Sequence, residues 1–242
     1  MKGERERVSV ASDWYHKEQL DFDKRLIRFR YQELQPYISG PLGLELGPAE
    51  GEMTQLLLND FERLVVVDGA DSLLDKIPDA DNLEKVHSLF EEYQPDQLIN
   101  TIVMEHILEH VADPSLLLRR VKKWLAPEGK LLIGVPNGDS FHRLVAVKMG
   151  MLENPCTLNA RDLALGHRRV YTPGSFKAEI EQAGLSVVRM GGVFFKPLSN
   201  QQIQDGWTEE MIQGFYELGN DFPENAAELF AVCELSCSKQ SF

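Results

Sequence analysis

Several features are scarce in this sequence, and each scarcity excludes a class of protein. The only cysteines are Cys156, Cys233 and Cys237, which form neither an even disulfide framework nor the paired spacing of a metal site. Basic residues are also few, 25 against 38 acidic ones, and the formal net charge is -13. This balance predicts no nucleic-acid partner and no anionic membrane partner, because phosphate binding needs a basic surface.

Long apolar runs are missing as well. No stretch of about 18 apolar residues occurs, so the sequence predicts no membrane span. The first residues, MKGERER, are charged and lack the apolar segment of a signal peptide. Together with the scarcity of cysteine, this predicts a cytoplasmic protein. A chain of 242 residues with 43% hydrophobic content is expected to form one domain over residues 1–242.

The most informative segment that is present reads LGLELGPAEG, residues 42–51. Its pattern predicts a short strand that ends near Glu45 and runs into a turn containing Gly47 and Gly51. A second apolar strand, residues 64–67, ends in Asp68. A glycine turn lets the backbone approach a ligand, and an acidic residue about 20 positions later can bind ribose hydroxyls. We therefore expect a site for a nucleotide-like cofactor.

The glycine spacing narrows the choice of cofactor. A dinucleotide site favours G-x-G-x-x-G, whereas here the glycines are spaced G-x-x-x-G, with Glu50 between them. A carboxylate in this loop would repel pyrophosphate but suits a cationic ligand. A NAD-linked oxidoreductase is therefore the less favoured alternative.

The alternation of strands and helices predicts βαβ units and a parallel sheet. We expect an N-terminal helix over 14–37, a cofactor-binding core over 40–138, and the C-terminal part of the sheet over 173–242. Residues 139–172 do not fit the alternation and are interpreted as an inserted cap. Predicted strands cover 42–45, 64–67, 83–87, 98–104, 130–135, 184–195 and 228–235. A helix with its apolar face at Met53, Leu56, Leu57 and Leu58 is expected after the glycine turn, and further helices cover 70–76, 114–125, 173–183 and 208–219.

Ligands of such sheets bind outside the carboxyl ends of the strands. This rule places four segments around one crevice: Glu45 to Gly51, Asp68, Met104 to His110, and Asn137. The predicted cap would lie over that crevice.

Five segments resemble class I S-adenosylmethionine (SAM) methyltransferases. Glu45-x-Gly47-x-Ala49-x-Gly51 is similar to their motif E/D-x-G-x-G-x-G, with Ala49 in place of the middle glycine. The others are ILEHVADP (107–114), LAPEGKLLI (125–133, with Glu128 where glycine is usual), VPN (135–137) and GHRRVYT (166–172). Their order, over about residues 40–195, resembles the small-molecule methyltransferases related to the ubiquinone-biosynthesis O-methyltransferases.

The resemblance implies a Rossmann-like α/β fold, with seven mostly parallel strands and helices on both faces, to which the cap expected over 139–172 is added. It also implies SAM as cofactor. Glu45, Gly47 and Gly51 would line its methionine end, and Asp68 would hold the ribose hydroxyls. The remaining cofactor-binding candidates are Gly69 and Ala70 under the adenine, Leu89 and Phe90 beside it, and Met104, Glu105 and His106 beside the methionine part.

Methyl transfer requires alignment of the reactants, and the acceptor atom also loses a proton. Histidine suits that task near neutral pH. His110 and His167 lie in the family-like motifs and are the candidate catalytic residues, although a structural role for each is the alternative. Candidate substrate-binding residues are Asn137, His142, Arg168 and Tyr171.

Residues 106–110, HILEH, match the zinc-protease pattern H-x-x-E-H. That pattern requires a helix and a third ligand, whereas here it follows a strand. We therefore expect no metal. The sequence predicts methyl transfer to an oxygen or nitrogen of a small molecule, in secondary-metabolite, quinone or sugar biosynthesis. A catalytically silent SAM-binding partner protein is the alternative, and an oligomer is compatible with the sequence.

Overall fold

The computed structural model describes residue 3 and residues 21–236. Seven strands lie in this part of the chain: β1 (Leu42–Leu46), β2 (Arg63–Asp68), β3 (Leu83–His87), β4 (Ile99–Glu105), β5 (Leu125–Pro136), β6 (Leu185–Val193) and β7 (Glu228–Leu235). They form one sheet in the order β3-β2-β1-β4-β5-β7-β6. Strands β1 to β5 pair in parallel, whereas β7 is antiparallel to both β5 and β6. The predicted seven-stranded, mostly parallel sheet is confirmed.

The described helices are α1 (Asp21–Leu34), α2 (Glu52–Leu57), α3 (Asp71–Leu74), α4 (Pro114–Trp124), α5 (Phe141–Lys148), α6 (Ala160–Ala164), α7 (Pro173–Gln182), α8 (Asn200–Gly206) and α9 (Glu209–Asp221). Short 3-10 helices cover Gln35–Tyr37 and Pro223–Asn225. The predicted N-terminal helix over 14–37 is seen from residue 21 onward, and residues 14–20 lie outside the described residues. Helices α5, α6 and α8 were not predicted from the sequence.

Helix α4 shows how local sequence specifies an element. Pro114 occupies the first turn, where its missing N–H costs nothing. Asp113 caps the helix, because its Oδ1 accepts a hydrogen bond of 2.8 Å from the backbone N–H of Leu116. The buried face carries Leu117 and Val121 at helical spacing, and this face packs the helix against the sheet.

Two apolar cores lie on opposite faces of the sheet. Along β2, Val65 and Val67 belong to one core, whereas Leu64 and Val66 belong to the other, because successive side chains of a strand point to opposite faces. Helices α4 and α7 contribute to the first core. Helices α1, α2, α8 and α9 contribute to the second. The prediction of helices on both faces is therefore confirmed.

The segment 139–172 contains α5 and α6 and is attached beside the carboxyl end of β5. Asn137, just after β5, forms an isolated parallel bridge with Tyr171. The role of segment 139–172 as a cap stays a prediction. Within the described residues, no helix combines the length and the apolar character needed to cross a lipid bilayer.

Candidate functional site

A cavity of about 480 Å³ opens at the carboxyl ends of the parallel strands, where ligands of such sheets bind. It is bounded by the loops after β1, β2, β4 and β5, by α1, and by parts of segment 139–172. The predicted residues that line it are Glu45, Gly47, Asp68, Gly69, Leu89, Phe90, Glu105, His106, His110, Asn137, His142 and His167. The structure thus brings together residues that are up to 122 positions apart, from Glu45 to His167.

Five predicted site residues lie outside the lining of this cavity. Gly51 is the N-cap residue that precedes α2, with a φ of 86°, and Met104 is fully buried in the core. Ala70 donates its backbone N–H to Asp68. Tyr171 donates its hydroxyl to Glu179 at 2.8 Å, and the Arg168 Nε donates to the backbone carbonyl of His110 at 2.8 Å. Ala70 and Arg168 thus fasten residues that do line the cavity, and the binding roles predicted for all five stay predictions.

The glycine-rich loop follows β1 and forms one wall of the cavity. Gly47 has a φ of 69°, which favours glycine, and a Cβ atom there would lie 2.2 Å from Cδ1 of Ile107. Ala49, in place of the middle glycine of the family-like motif, has a φ of 47°. The left-handed conformation costs a non-glycine residue roughly 1–2 kcal/mol. The alanine therefore keeps the loop shape at an energetic cost.

Two buried carboxylates lie at the carboxyl ends of β1 and β2. Glu45 accepts a 2.6 Å hydrogen bond from Thr54, and burial raises its pKa to about 7. Asp68 accepts a 2.8 Å hydrogen bond from the backbone N–H of Ala70, and burial raises its pKa to about 6. Burial makes the ionised form of both carboxylates unfavourable, so each gains from a ligand that brings hydroxyl groups or positive charge.

His106 is the centre of a buried ionic network. It has a φ of 57°, a conformation that non-glycine residues adopt chiefly at special sites. Its Nδ1 lies 3.2 Å from Glu109, and its Nε2 lies 3.4 Å from Glu228. Burial and Arg30 lower the pKa of His106, but these carboxylates outweigh them and hold it at about 9. His106 is therefore protonated near neutral pH and cannot accept a proton.

Arg30, from α1, continues this network on the other side of Glu228. Its guanidinium lies 3.2 Å from Glu228 and 3.5 Å from Glu105. Despite burial, Arg30 and His106 lower the pKa of Glu228 to about 2. Burial raises the pKa of Glu105 to about 7, so Glu105 is the carboxyl group of this network that protonates most readily.

A second polar cluster contains the two candidate catalytic histidines. The rings of His110 and His167 meet edge to face, with centroids 4.7 Å apart. The Nδ1 of His167 lies 3.3 Å from Asp162 Oδ1. Asp162 is in turn held by Arg143 at 3.1 Å and by the backbone N–H of Asn159 at 2.9 Å. Burial alone would raise the pKa of Asp162, but His167 and these donors lower it to about 2.

Ligand atoms of Glu109, His110 and His167 lie within 4.8 Å of one another, a geometry that can hold a metal ion. The H-x-x-E-H residues themselves form turns after β4 and not a helix, so the arrangement differs from that of a zinc protease. The expected absence of a metal stays a prediction.

His142, on α5, also faces the cavity. Burial, then the charges of Lys196 and Arg143, lower its pKa to about 3. The ring is therefore neutral near neutral pH, and its buried Nδ1 has no hydrogen-bond partner among the described residues. It offers a hydrogen bond to a ligand but is a weak base.

Several charged residues that line the cavity were not predicted from the sequence, among them Arg30, Asp162, Lys196 and Glu228. Each of these four is distant in sequence from the motifs around residues 45–51 and 104–110. Only Asp162 belongs to a recognisable local pattern, the capping box at the N-terminus of α6.

Comparisons with known proteins agree with this geometry. Residues 18–190 match the family described as "Methyltransferase domain". A ubiquinone biosynthesis O-methyltransferase of Aeromonas salmonicida is 32% identical over 108 residues, which is 44% of this chain and 43% of that protein. Its counterpart in Coxiella burnetii is 24% identical over 205 residues, covering 79% of this chain and 85% of that protein.

Solved structures share the fold. The N-methyltransferase NodS of Bradyrhizobium japonicum in complex with S-adenosylhomocysteine (SAH) has a TM-score of 0.58 at 15% identity, covering 97% of each chain. A DhpI-SAM-HEP complex has a TM-score of 0.60 at 15% identity, covering 96% of this chain and 94% of that one.

Proposed function

This chain belongs to the methyltransferase domain family as a class I SAM-dependent methyltransferase, and we propose that it methylates an oxygen or nitrogen of a small-molecule acceptor. One observation carries the proposal: a single cavity is lined by two sets of residues with different chemistry. One set comprises the Gly47 loop, Asp68 and Phe90, and the other comprises His110 and His167. The first set suits a cofactor, and the second suits an acceptor that loses a proton.

The residues of the first set fit SAM. Asp68 presents a carboxylate for the ribose hydroxyls, and Leu89 and Phe90 offer apolar surface for the adenine. The acidic groups Glu45 and Glu105 suit the positive charge of the methionine part. SAM, when bound, supplies a methyl group activated by the sulfonium.

The protein's own task is to orient the acceptor and to take its proton. Asp162 accepts from Nδ1 of His167, so the neutral ring carries its proton on Nδ1 and leaves Nε2 free to accept another. SAM would supply the methyl group to the acceptor atom and retain the C–S electron pair on sulfur. The acceptor's proton would move to Nε2 of His167. Protonated His106 and neutral His142 are less suited to this step because of their pKa values.

The test measures cofactor binding and turnover separately. SAM and SAH affinities are determined by calorimetry, and SAH formation is followed with a panel of small phenols, sugars and amines. We expect binding of both cofactor forms and SAH formation with at least one class of acceptor. Failure to bind either would refute the proposal. Binding without turnover across the panel would favour a silent SAM-binding protein. Transfer to RNA or DNA alone would contradict the proposed acceptor class.

A further inference from the structure

Lys196 follows β6 and lines the same cavity. The chain reaches it through Phe194, which is fully buried and has a φ of 62°. Two backbone hydrogen bonds fix this turn: the Phe194 carbonyl accepts from Ala227 at 2.7 Å, and the Phe195 N–H donates to Phe215 at 2.8 Å. A strained backbone held in this way is common at ligand-binding sites. The turn therefore gives Lys196 a defined position.

The other cations of the cavity have carboxylate partners. The pairs are Arg30 with Glu228 at 3.2 Å, Arg143 with Asp162 at 3.1 Å, Arg161 with Asp23 at 3.4 Å, and Lys24 with Glu52 at 2.6 Å. Lys196 differs from them. Its Nζ donates to the amide oxygen of Asn200 at 2.8 Å, and no carboxylate of the described residues forms an ion pair with it. An ammonium group has three donors, so two remain for a ligand.

The surroundings of Lys196 favour a bound anion. Burial lowers its pKa to about 8; Arg161 and Arg143 act in the same direction, against the carboxylates of Glu228 and Asp23. Most of the ammonium is still charged at neutral pH. A partly desolvated charge without a counterion is unfavourable, and an anionic ligand would remove that cost.

We propose that Lys196 binds a carboxylate group of the methyl acceptor, with Asn200 holding the ammonium in position. This inference rests on the proposed function, since it assigns a substrate class to the same cavity. Glu228 and Asp23 lie near enough to affect Lys196 electrostatically, so a dianionic phosphate would be repelled more than a monoanion. Leu26 and Ile27 also line the cavity, which suits an acceptor with an apolar body.

The experiment uses the full chain loaded with SAH and measures the affinity of benzoate, benzamide and phenyl phosphate by calorimetry. We expect benzoate to bind roughly 10- to 100-fold more tightly than benzamide, the range for hydrogen bonds to a charged group. Lys196→Met should abolish the preference for benzoate and keep the SAH affinity. Lys196→Arg should keep part of the preference for benzoate. Lys148→Met is the matched control, because Lys148 is an exposed lysine on α5.

Several outcomes would overturn the inference. These are equal or undetectable binding of benzoate and benzamide, a preference retained in Lys196→Met, or SAH affinity lost together with the preference. Tighter binding of phenyl phosphate than of benzoate would show that the site is built for phosphate. Failure of the unmodified protein to bind SAH would instead contradict the proposed function, so the two failures are distinguishable.

Discussion

Asp68 provides a test in which stability and binding should change in opposite directions. The side chain is 6% exposed, and burial raises its pKa from the usual 3.8 to about 6. The ionised form is therefore unfavourable in the folded protein without ligand. At about 1.4 kcal/mol per pH unit, this rise corresponds to about 3 kcal/mol of lost stability above pH 6.

Asp68→Asn removes this cost and should stabilise the ligand-free protein at pH 8. The new amide oxygen can still accept from Ala70, but the amide nitrogen cannot accept from the N–H of Gly69, which also stabilises the carboxylate. We therefore expect a net gain of about 1–2 kcal/mol, or roughly 2–8 °C in Tm for a chain of this size. SAH affinity should fall roughly 10- to 100-fold, because ribose hydroxyls would lose a charged acceptor.

The pH dependence provides the decisive measurement. A carboxyl group with a raised folded-state pKa contributes its full stability below pH 3.8, and that contribution is lost as the pH rises through about 6. The stability advantage of Asp68→Asn should therefore be largest at pH 8 and vanish below about pH 4. Chemical denaturation at four pH values tests this, with the exposed Asp75→Asn as control. An advantage independent of pH, or a variant with lower stability at pH 8, would refute the reasoning.

Four further predictions follow from the same site. Gly47→Val should abolish SAH binding in calorimetry, because even its Cβ would collide with Ile107 at 2.2 Å; normal affinity would exclude this loop from the cofactor site. His110→Ala or His167→Ala should lower kcat by roughly 10²–10⁴ with nearly unchanged SAM affinity, whereas a purely structural role would lower Tm and spare the rate of the folded enzyme. Asp162→Asn should lower kcat without raising KM and shift the kinetic pH profile, and an unchanged profile would argue against its orienting role. Activity should survive EDTA, and complete loss restored by zinc or magnesium would contradict the predicted absence of a metal.

The parts of the site that the sequence predicts are those encoded by neighbouring residues. Gly47 and Asp68 were identified because a glycine turn and an acidic strand end have a fixed spacing in such folds. Both line the cavity. The match to the methyltransferase domain over residues 18–190 confirms the family resemblance that these motifs indicated.

Proximity to a motif is a weaker guide to what a side chain contacts. Arg168 and Tyr171 lie in the same family-like segment as His167, within the predicted cap, and are candidate substrate-binding residues. In the structure, Arg168 contacts the His110 carbonyl, and Tyr171 contacts Glu179 on α7. Sequence spacing cannot distinguish a side chain that faces the cavity from one that contacts another part of the protein, because the contacts depend on residues up to 58 positions away.

Glu228 shows why the remaining charges could not be predicted. Site residues are expected where strands end, since parallel strands place their carboxyl ends at one edge of the sheet. Glu228 is instead the first residue of β7. Because β7 runs antiparallel between β5 and β6, its first residue pairs with Pro136 and Val193, the last residues of those strands. The reversed strand therefore brings a carboxylate to the same edge from the opposite direction. There it meets Arg30 and His106, so the sheet order has to be known before the charge of this part of the cavity can be derived.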